Sequence, residues 1–331
     1  MKLKEIPKVN IAFLPTPLQK VERLCKELGL KELYIKRDDQ TGLALGGNKV
    51  RKLEYLMADA LAQKADVIFT LGGPQSNHCR QTAAAARVCG LESVLIFGGD
   101  EIKEVQGNMI LDELLNSEWY FAKDMDREEK LREVVAEYEA KGKKAYSIPL
   151  GGSNALGAIG YVEAGLELAK QCEEEGIDPD YIFCATGSGG TQAGLILGAH
   201  LGGLKAKVIG ISVSGTSDEI TEKVNNLLVE LGIKLDVDIK GLHNVAVYDE
   251  FVGDGYGRPT ELSTKALKLI AQTEGIIIDP VYTAKGLAGL LGMLDDGRIN
   301  KDSSIVFLHT GGMPALFADT DLYWKPDVDI K

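Results

Sequence analysis

In the run Gly46-Gly47-Asn48-Lys49-Val50-Arg51-Lys52, a lysine follows two glycines. It opens a stretch whose apolar positions, Val50, Leu53, Leu56, Met57 and Leu61, predict a helix. Lys49 then falls in the first helical turn, where the positive end of the dipole opposes an ammonium. A lysine of lowered pKa is the reagent for carbonyl or Schiff-base chemistry. The alternative is a solvated lysine that bears a dipole penalty of about a few tenths of a kcal/mol. A second loop, Thr186-Gly187-Ser188-Gly189-Gly190-Thr191, precedes the helix-like Gln192–Leu201. Its glycines let backbone N–H groups converge on an anion at a helix N-terminus. The same loop also reads as a tight left-handed turn that packs a helix on a sheet. The dinucleotide pattern G-x-G-x-x-G fails, because Gln192 holds the third glycine position. No acidic residue follows at the ribose position, where the next strand ends at Ser212 and Ser214. A P-loop fails too: Gly42 and Gly47 have the spacing, but Asn48 stands where its lysine belongs.

Three further loops carry polar or aromatic groups. In Gly72-Gly73-Pro74-Gln75-Ser76-Asn77-His78, Ser76 is either an N-cap or, with Asn77, a cradle for a substrate carboxylate. In Asp279-Pro280-Val281-Tyr282-Thr283, Tyr282 is core filling or an aromatic plate against a ring. His309-Thr310-Gly311-Gly312 is the last.

The elements that must hold these loops share one grammar, a short apolar run followed by glycine. Six segments follow it: Val67–Gly73, Ser93–Gly99, Ala145–Gly152, Tyr181–Gly190, Val208–Gly215 and Ile305–Gly312. Such runs predict strands buried on both faces. Helical patterns lie between them. Glu128–Lys143 sets Leu131, Val134, Val135 and Tyr138 on one face, with Asp126 as its N-cap. Thr82–Val88, Val162–Cys172, Thr264–Thr273 and Ala284–Leu294 also suit helices. The alternation predicts an α/β protein with two open, mostly parallel twisted sheets flanked by helices. Three strands fall in each half, so two lobes with a cleft between them are expected. No Pro/Gly/Ser linker divides them, which allows the chain to cross more than once. Ligands of such sheets bind beyond the carboxyl ends of the strands, where the glycine turns lie.

Composition removes several functions. The chain has 331 residues, 37 Lys+Arg against 49 Asp+Glu, and a formal charge of -12. An acidic chain without a basic run does not suit nucleic acid or an anionic membrane. No apolar run approaches the roughly 20 residues of a membrane span, and Met1–Lys20 has no apolar core of a secretory signal. Five cysteines without a C-x-x-C pair, and four scattered histidines, give no support for a disulfide framework or a metal site. The cytoplasm is the expected compartment.

Taken in order, LPTPLQ, YIKRDDQTGLALGGNKVRKLEYL, QSNHCRQTAAAA, GGSNALGAIGYVEA, ATGSGGTQAGL, GYGRPTE, DPVYTAKGLAGL and HTGGMPALF span nearly the whole chain. This series resembles the fold-type II (tryptophan synthase β-like) pyridoxal phosphate enzymes, in the branch that holds ACC deaminase and D-cysteine desulfhydrase. The resemblance implies pyridoxal 5'-phosphate as cofactor. It implies Lys49 as the lysine that binds the cofactor aldehyde and later takes the substrate's α-proton. Gly187, Ser188, Gly189, Gly190 and Thr191 would hold the phosphate, helped by Lys52. Asn77 would meet the ring's 3'-oxygen, and Thr310 would stand beside the ring nitrogen. Tyr282 would stack on the ring. Ser76 and Tyr256 would hold the carboxylate or assist the leaving group.

The resemblance also implies a larger domain of residues 1–50 plus 164–331, a smaller one of 51–163, and a homodimer. Thr283 and Thr310, where ACC deaminases carry Glu and Leu, match the desulfhydrase pattern. A hydroxyl beside a neutral ring nitrogen makes a milder electron sink than a carboxylate beside a pyridinium. TQAGL and GYGRPTE look as close to the L-cysteate sulfo-lyases, for which Arg258 would be a sulfonate partner. The expectation is therefore α,β-elimination from D-cysteine to pyruvate, hydrogen sulfide and ammonia. L-Cysteate is the alternative substrate, then ACC. A nucleotide-dependent oxidoreductase is disfavoured by the failed dinucleotide pattern.

Overall fold

The computed structural model describes residues 2–323. Its chain runs β1 (Leu18–Lys20), α1 (Glu22–Leu28), β2 (Glu32–Lys36), α2 (Lys49–Ala62), β3 (Val67–Gly72), α3 (Asn77–Val88) and β4 (Glu92–Phe97). There follow α4 (Asn108–Leu114), β5 (Glu118–Phe121), α5 (Arg127–Ala140), β6 (Ala145–Ser147), α6 (Ala155–Glu175), β7 (Tyr181–Thr186) and α7 (Gly190–Leu201). The last are β8 (Lys207–Ser212), α8 (Ser217–Leu235), β9 (Ala246–Tyr248), α9 (Glu261–Glu274), α10 (Thr283–Asp295) and β10 (Ser304–Leu308).

Two sheets form, in the orders β1-β2-β10-β7-β8-β9 and β5-β4-β3-β6. Only β1 pairs antiparallel, with β2; the other ladders are parallel. The expected α/β architecture of two mostly parallel sheets is thus present. Each glycine-terminated segment holds a strand, but the expected three and three become six and four. The extra strands β1, β2, β5 and β9 are three to five residues long. In β2 a charged residue closes each end of a three-residue apolar core, too little for an apolar run to stand out.

Helix ends follow local chemistry. Asp126 caps α5 by accepting from the N–H groups of Glu128 and Glu129. Leu131, Val134 and Tyr138 are buried, and Val135 is half-buried. Helix α6 is longer than the expected Val162–Cys172. Asn154 starts it by accepting from the N–H of Gly157 at 2.8 Å, and Gly176 stops it at φ 67°.

Two helices belong to both lobes. The expected boundaries, 50/51 and 163/164, fall within α2 and α6; residues 1 and 324–331 of that division lie outside the described residues. Leu53, Leu56, Met57 and Ala60 of α2 pack with Ile68, Ala85 and Ile148 beside the smaller sheet. Each fully buried leucine of this kind contributes about 1.5–3 kcal/mol. Tyr55, on the same helix, joins Ala158, Ile159 and Val162 of α6 and Leu197 of α7. The α2–α6 crossing is tight: a methyl on Gly160 would lie 2.2 Å from the Arg51 carbonyl oxygen. Helix α2 is therefore wedged between two cores, and Lys49 stands at its first residue.

Candidate active site

The glycine loops meet beyond the carboxyl ends of β3, β7 and β10, as expected for open parallel sheets. Contacts close into a ring. The N–H of Asn48 donates to the Thr310 carbonyl at 3.0 Å, and a methyl on Gly311 would strike Gly47 Cα at 2.7 Å. Asn48 Nδ2 donates to Thr191 Oγ1 at 3.0 Å. Lys52 Nζ donates to the Gly151 carbonyl and to Ser153 Oγ, both at 3.1 Å. Ser153 Oγ lies 2.7 Å from Ser188 Oγ. On the other side, a methyl on Gly312 would fall 2.6 Å from the Asp279 carboxyl carbon and 2.8 Å from Asn77 Nδ2. Asp279 leads to Tyr282, whose hydroxyl lies 2.7 Å from that of Tyr256. A methyl on Gly73 would touch the Tyr256 ring at 3.7 Å.

The expected residues thus lie around one opening. Gly189 takes φ 81° to start α7, and a methyl on Gly190 would stand 2.9 Å from Lys52 Nζ and 2.6 Å from Ser153 Oγ. Only glycine leaves this space at the helix N-terminus. Ser188, Thr191, Lys52 and Ser153 surround it with donors. The set fits the phosphate of the expected cofactor. Gly187 is half-buried, and a methyl on it would lie 3.4 Å from Val213 Cγ2. Ser76 does cap α3, accepting from the Cys79 N–H at 3.2 Å, so its structural role is real whatever its hydroxyl does for a substrate. Arg258 is exposed.

Electrostatics separate this site from an ordinary surface. Burial pushes the Lys49 amine down to about 8, and the Asp279 carboxylate only partly opposes the shift. Burial and then the charge of Lys49 hold Lys52 well below the usual lysine range. Burial, Lys49 and Lys52 do the same to His78, keeping its imidazole neutral. Burial pushes the Tyr256 hydroxyl up to about 12, although the residue is 44% exposed. Burial and then Tyr256 raise Tyr282 well above the phenol range.

Several functional positions were not assigned from sequence. Asp279 accepts from the N–H groups of Val281, Tyr282 and Thr283 at 2.8–3.0 Å, which fixes Tyr282 at the start of α10. The Thr283 hydroxyl donates to Asp279 Oδ1 at 2.5 Å. It is engaged in its own turn, where it also accepts from the Asp279 N–H at 2.7 Å. Ser153, inside GGSN, bonds Lys52 Nζ and Ser188 Oγ, and His78 hydrogen-bonds Thr70 Oγ1 at 2.8 Å. Their signal was the motif alone. An open groove of about 700 Å³ along β5, lined by Trp119, Phe121, Lys123 and Lys130 among others, holds none of these residues.

Residues 9–311 match the family model described as "Pyridoxal-phosphate dependent enzyme". A protein named D-cysteine desulfhydrase from Klebsiella pneumoniae (strain 342) is 42% identical over 322 residues, covering 96% of this chain and 97% of its own. One of the same name from Yersinia enterocolitica is 42% identical over 323 residues, with the same coverage. Among solved structures, an ACC deaminase homologue superposes with TM-score 0.89 at 37% identity, covering 96% of both chains. A threonine deaminase isoform from Solanum lycopersicum, at 17% identity and TM-score 0.67, shares the fold over 94% of this chain and 82% of its own.

Proposed function

We propose, from the premise that this chain belongs to the pyridoxal-phosphate dependent enzymes, that it converts D-cysteine and water to pyruvate, hydrogen sulfide and ammonia. Pyridoxal 5'-phosphate is the cofactor of this family and of this chain. When bound, it supplies an electron sink for the carbanion formed at the substrate's Cα.

The chain's own residues do the rest. Ser188, Gly189, Gly190, Thr191, Lys52 and Ser153 hold the phosphate. Asn77 would meet the ring's 3'-oxygen, Thr310 the ring nitrogen, and Tyr282 the ring face. Ser76 and Asn77, at the N-terminus of α3, hold the substrate carboxylate. With phosphate and carboxylate both anchored, the Cα–H bond would be turned toward Lys49, a positioning effect. Lys49 Nζ removes the α-proton as general base. The Tyr256–Tyr282 hydroxyl pair delivers a proton to the departing sulfur. Both tyrosines stay protonated at neutral pH, as a donor must.

One observation carries the reading: an amine brought down to about 8 at the first turn of α2, with Asp279 as its opposing charge. Such an amine is free often enough near neutral pH to act as nucleophile and base. The 42% identity along nearly the full chain supports the choice of D-cysteine. The same reading takes in the two-domain division, a cytoplasmic location and a homodimer. Exposed Phe13, Leu114, Ile233 and Phe317 are in keeping with a second copy covering part of the surface. No helix among the described residues is long and apolar enough to cross a membrane.

The deciding experiment is a 2-oxo acid assay over D-cysteine, L-cysteine, L-cysteate, D-serine and ACC, with sulfide and sulfite measured in parallel. Pyruvate and sulfide from D-cysteine are expected. Turnover of L-cysteate with sulfite, and none of D-cysteine, would replace the substrate; 2-oxobutyrate from ACC would replace the reaction.

A further inference from the structure

The geometry points to Gln81 as the residue that fixes the Lys49 amine, by capping from a neighbouring helix the turn on which Lys49 stands. The inference rests on Lys49 being the cofactor lysine.

The first N–H groups of a helix have no partner inside it, and the N-cap side chain ordinarily meets one of them. At α2 it does not. Asn48 makes no side-chain cap: its backbone is already helical, at φ -60° and ψ -25°, and its Nδ2 donates to Thr191 in the phosphate loop. The N–H of Val50 is shared between Gln81 Oε1 on α3, at 3.0 Å, and the Gly47 carbonyl, at 3.3 Å. The same amide's Nε2 donates to the Gly46 carbonyl at 3.0 Å. The two bonds straddle residues 46–50, with Lys49 between them. Gly47, at φ 132°, makes room: a methyl there would lie 2.3 Å from Gln81 Nε2. Thr41 grips the opposite side, its hydroxyl accepting from the Gly47 N–H at 2.8 Å and facing the Gly47 carbonyl at 2.9 Å.

Gln81 is fully buried; at the Gly46 carbonyl it is joined by Arg80 Nη2 at 2.8 Å, while among the described side chains the Val50 N–H has Gln81 alone. It stands one helical turn after Asn77, on the helix that Ser76 caps. Gln81 therefore sets the lysine against the carboxylate-binding end of α3, and it releases Asn48 to serve the phosphate loop. It is a positioning residue and touches no reacting atom.

The test compares the full-length parent with Gln81→Leu, which removes both bonds, and Gln81→Glu, which keeps an acceptor for Val50. Competitive acetylation with peptide mapping follows Lys49 against exposed Lys170 as pH varies. Return of the visible cofactor absorption after pyridoxal phosphate is added to the stripped chain gives a rate. In Gln81→Leu the labelling midpoint of Lys49 is expected to climb from about 8, and the rate to fall about tenfold. Gln81→Glu is expected between parent and Leu, about threefold slow. If Gln81→Leu folds with a lower melting temperature yet keeps both readouts within about twofold, Gln81 is a core glutamine and the inference is wrong. If Gln81→Leu does not fold, Gln81→Glu decides, and equality with the parent in both readouts overturns it. Neither readout uses an amino-acid substrate, so failure of the D-cysteine assay leaves this test intact. Borohydride fixation and mapping of the parent separately checks Lys49 as the cofactor lysine.

Discussion

Arg51 and Lys52 are consecutive on α2 and equally buried, at 1% exposure, yet they stand in opposite electrostatic surroundings. Arg51 meets Asp38 through Nε and Nη2 at 2.9 Å each, Glu167 through Nη1 and Nη2 at 3.0 and 2.8 Å, and Thr16 Oγ1 at 3.0 Å. Lys36 completes the group with Glu167 at 2.5 Å, so two cations face two carboxylates. Burial alone would lower Arg51, but Asp38 and Glu167 outweigh it and hold its charge above the guanidinium range. Lys52 has a hydroxyl and a carbonyl for partners, and its charged neighbour is another lysine. Arg51 thus sits in a compensated ionic network, while Lys52, the next residue, has no carboxylate beside it. A fold retains uncompensated buried cations where a ligand supplies the missing anion. Under the proposed function, the cofactor's phosphate would supply that anion at Lys52.

The strongest way to break this comparison is Lys49→Ala. Turnover is expected to fall by about 10³ or more, with loss of the visible cofactor absorption; full turnover on steady-state assay would end the reading. Next comes Arg51→Met. It leaves Asp38 and Glu167 facing Lys36 alone, and denaturant unfolding should show a loss of about 3–5 kcal/mol. Lys52→Met should do the reverse. It removes a buried amine that has no carboxylate partner, so stability should hold or rise, while cofactor affinity measured by fluorescence titration falls about tenfold to a hundredfold. Equal stability losses at the two positions would erase the distinction.

A pH measurement sharpens it further. The folded chain holds the Lys49 proton less well than the unfolded chain. Between about 8 and the ordinary lysine range, the unfolded state binds more protons, so this group makes stability rise with pH. Lys49→Ala should flatten that limb in pH-dependent melting. The smallest effect belongs to Tyr256→Phe, which removes one hydroxyl contact of about 0.5–1.5 kcal/mol. It should lower kcat about two- to tenfold and leave the cofactor spectrum unchanged.

The sequence carried much of this site, for a physical reason. Strands buried on both faces need unbroken apolar runs, and chain reversal at their ends needs glycine, so Val67–Gly73, Tyr181–Gly190 and Ile305–Gly312 announced both the sheets and the loops that bind. Lys49 was visible as a cation at the wrong end of a helix, and Ser76 as a cap. The short strands β1, β2, β5 and β9 were not legible, because ladder bonds and neighbours rather than apolar length hold them.

What the residues fixed by themselves was local: element type, turn position, cap chemistry and the motif order that resembles pyridoxal phosphate enzymes. What only the tertiary structure decided was pairing over distance. Nothing local ties Arg51 to Glu167, Asn48 to Thr191 or Val50 to Gln81, since these partners lie 116, 143 and 31 residues apart. The depressed proton affinity of Lys49 belongs to the same class. Desolvation and Coulomb energy depend on what surrounds a group in space, and that is known only once the chain has closed around it.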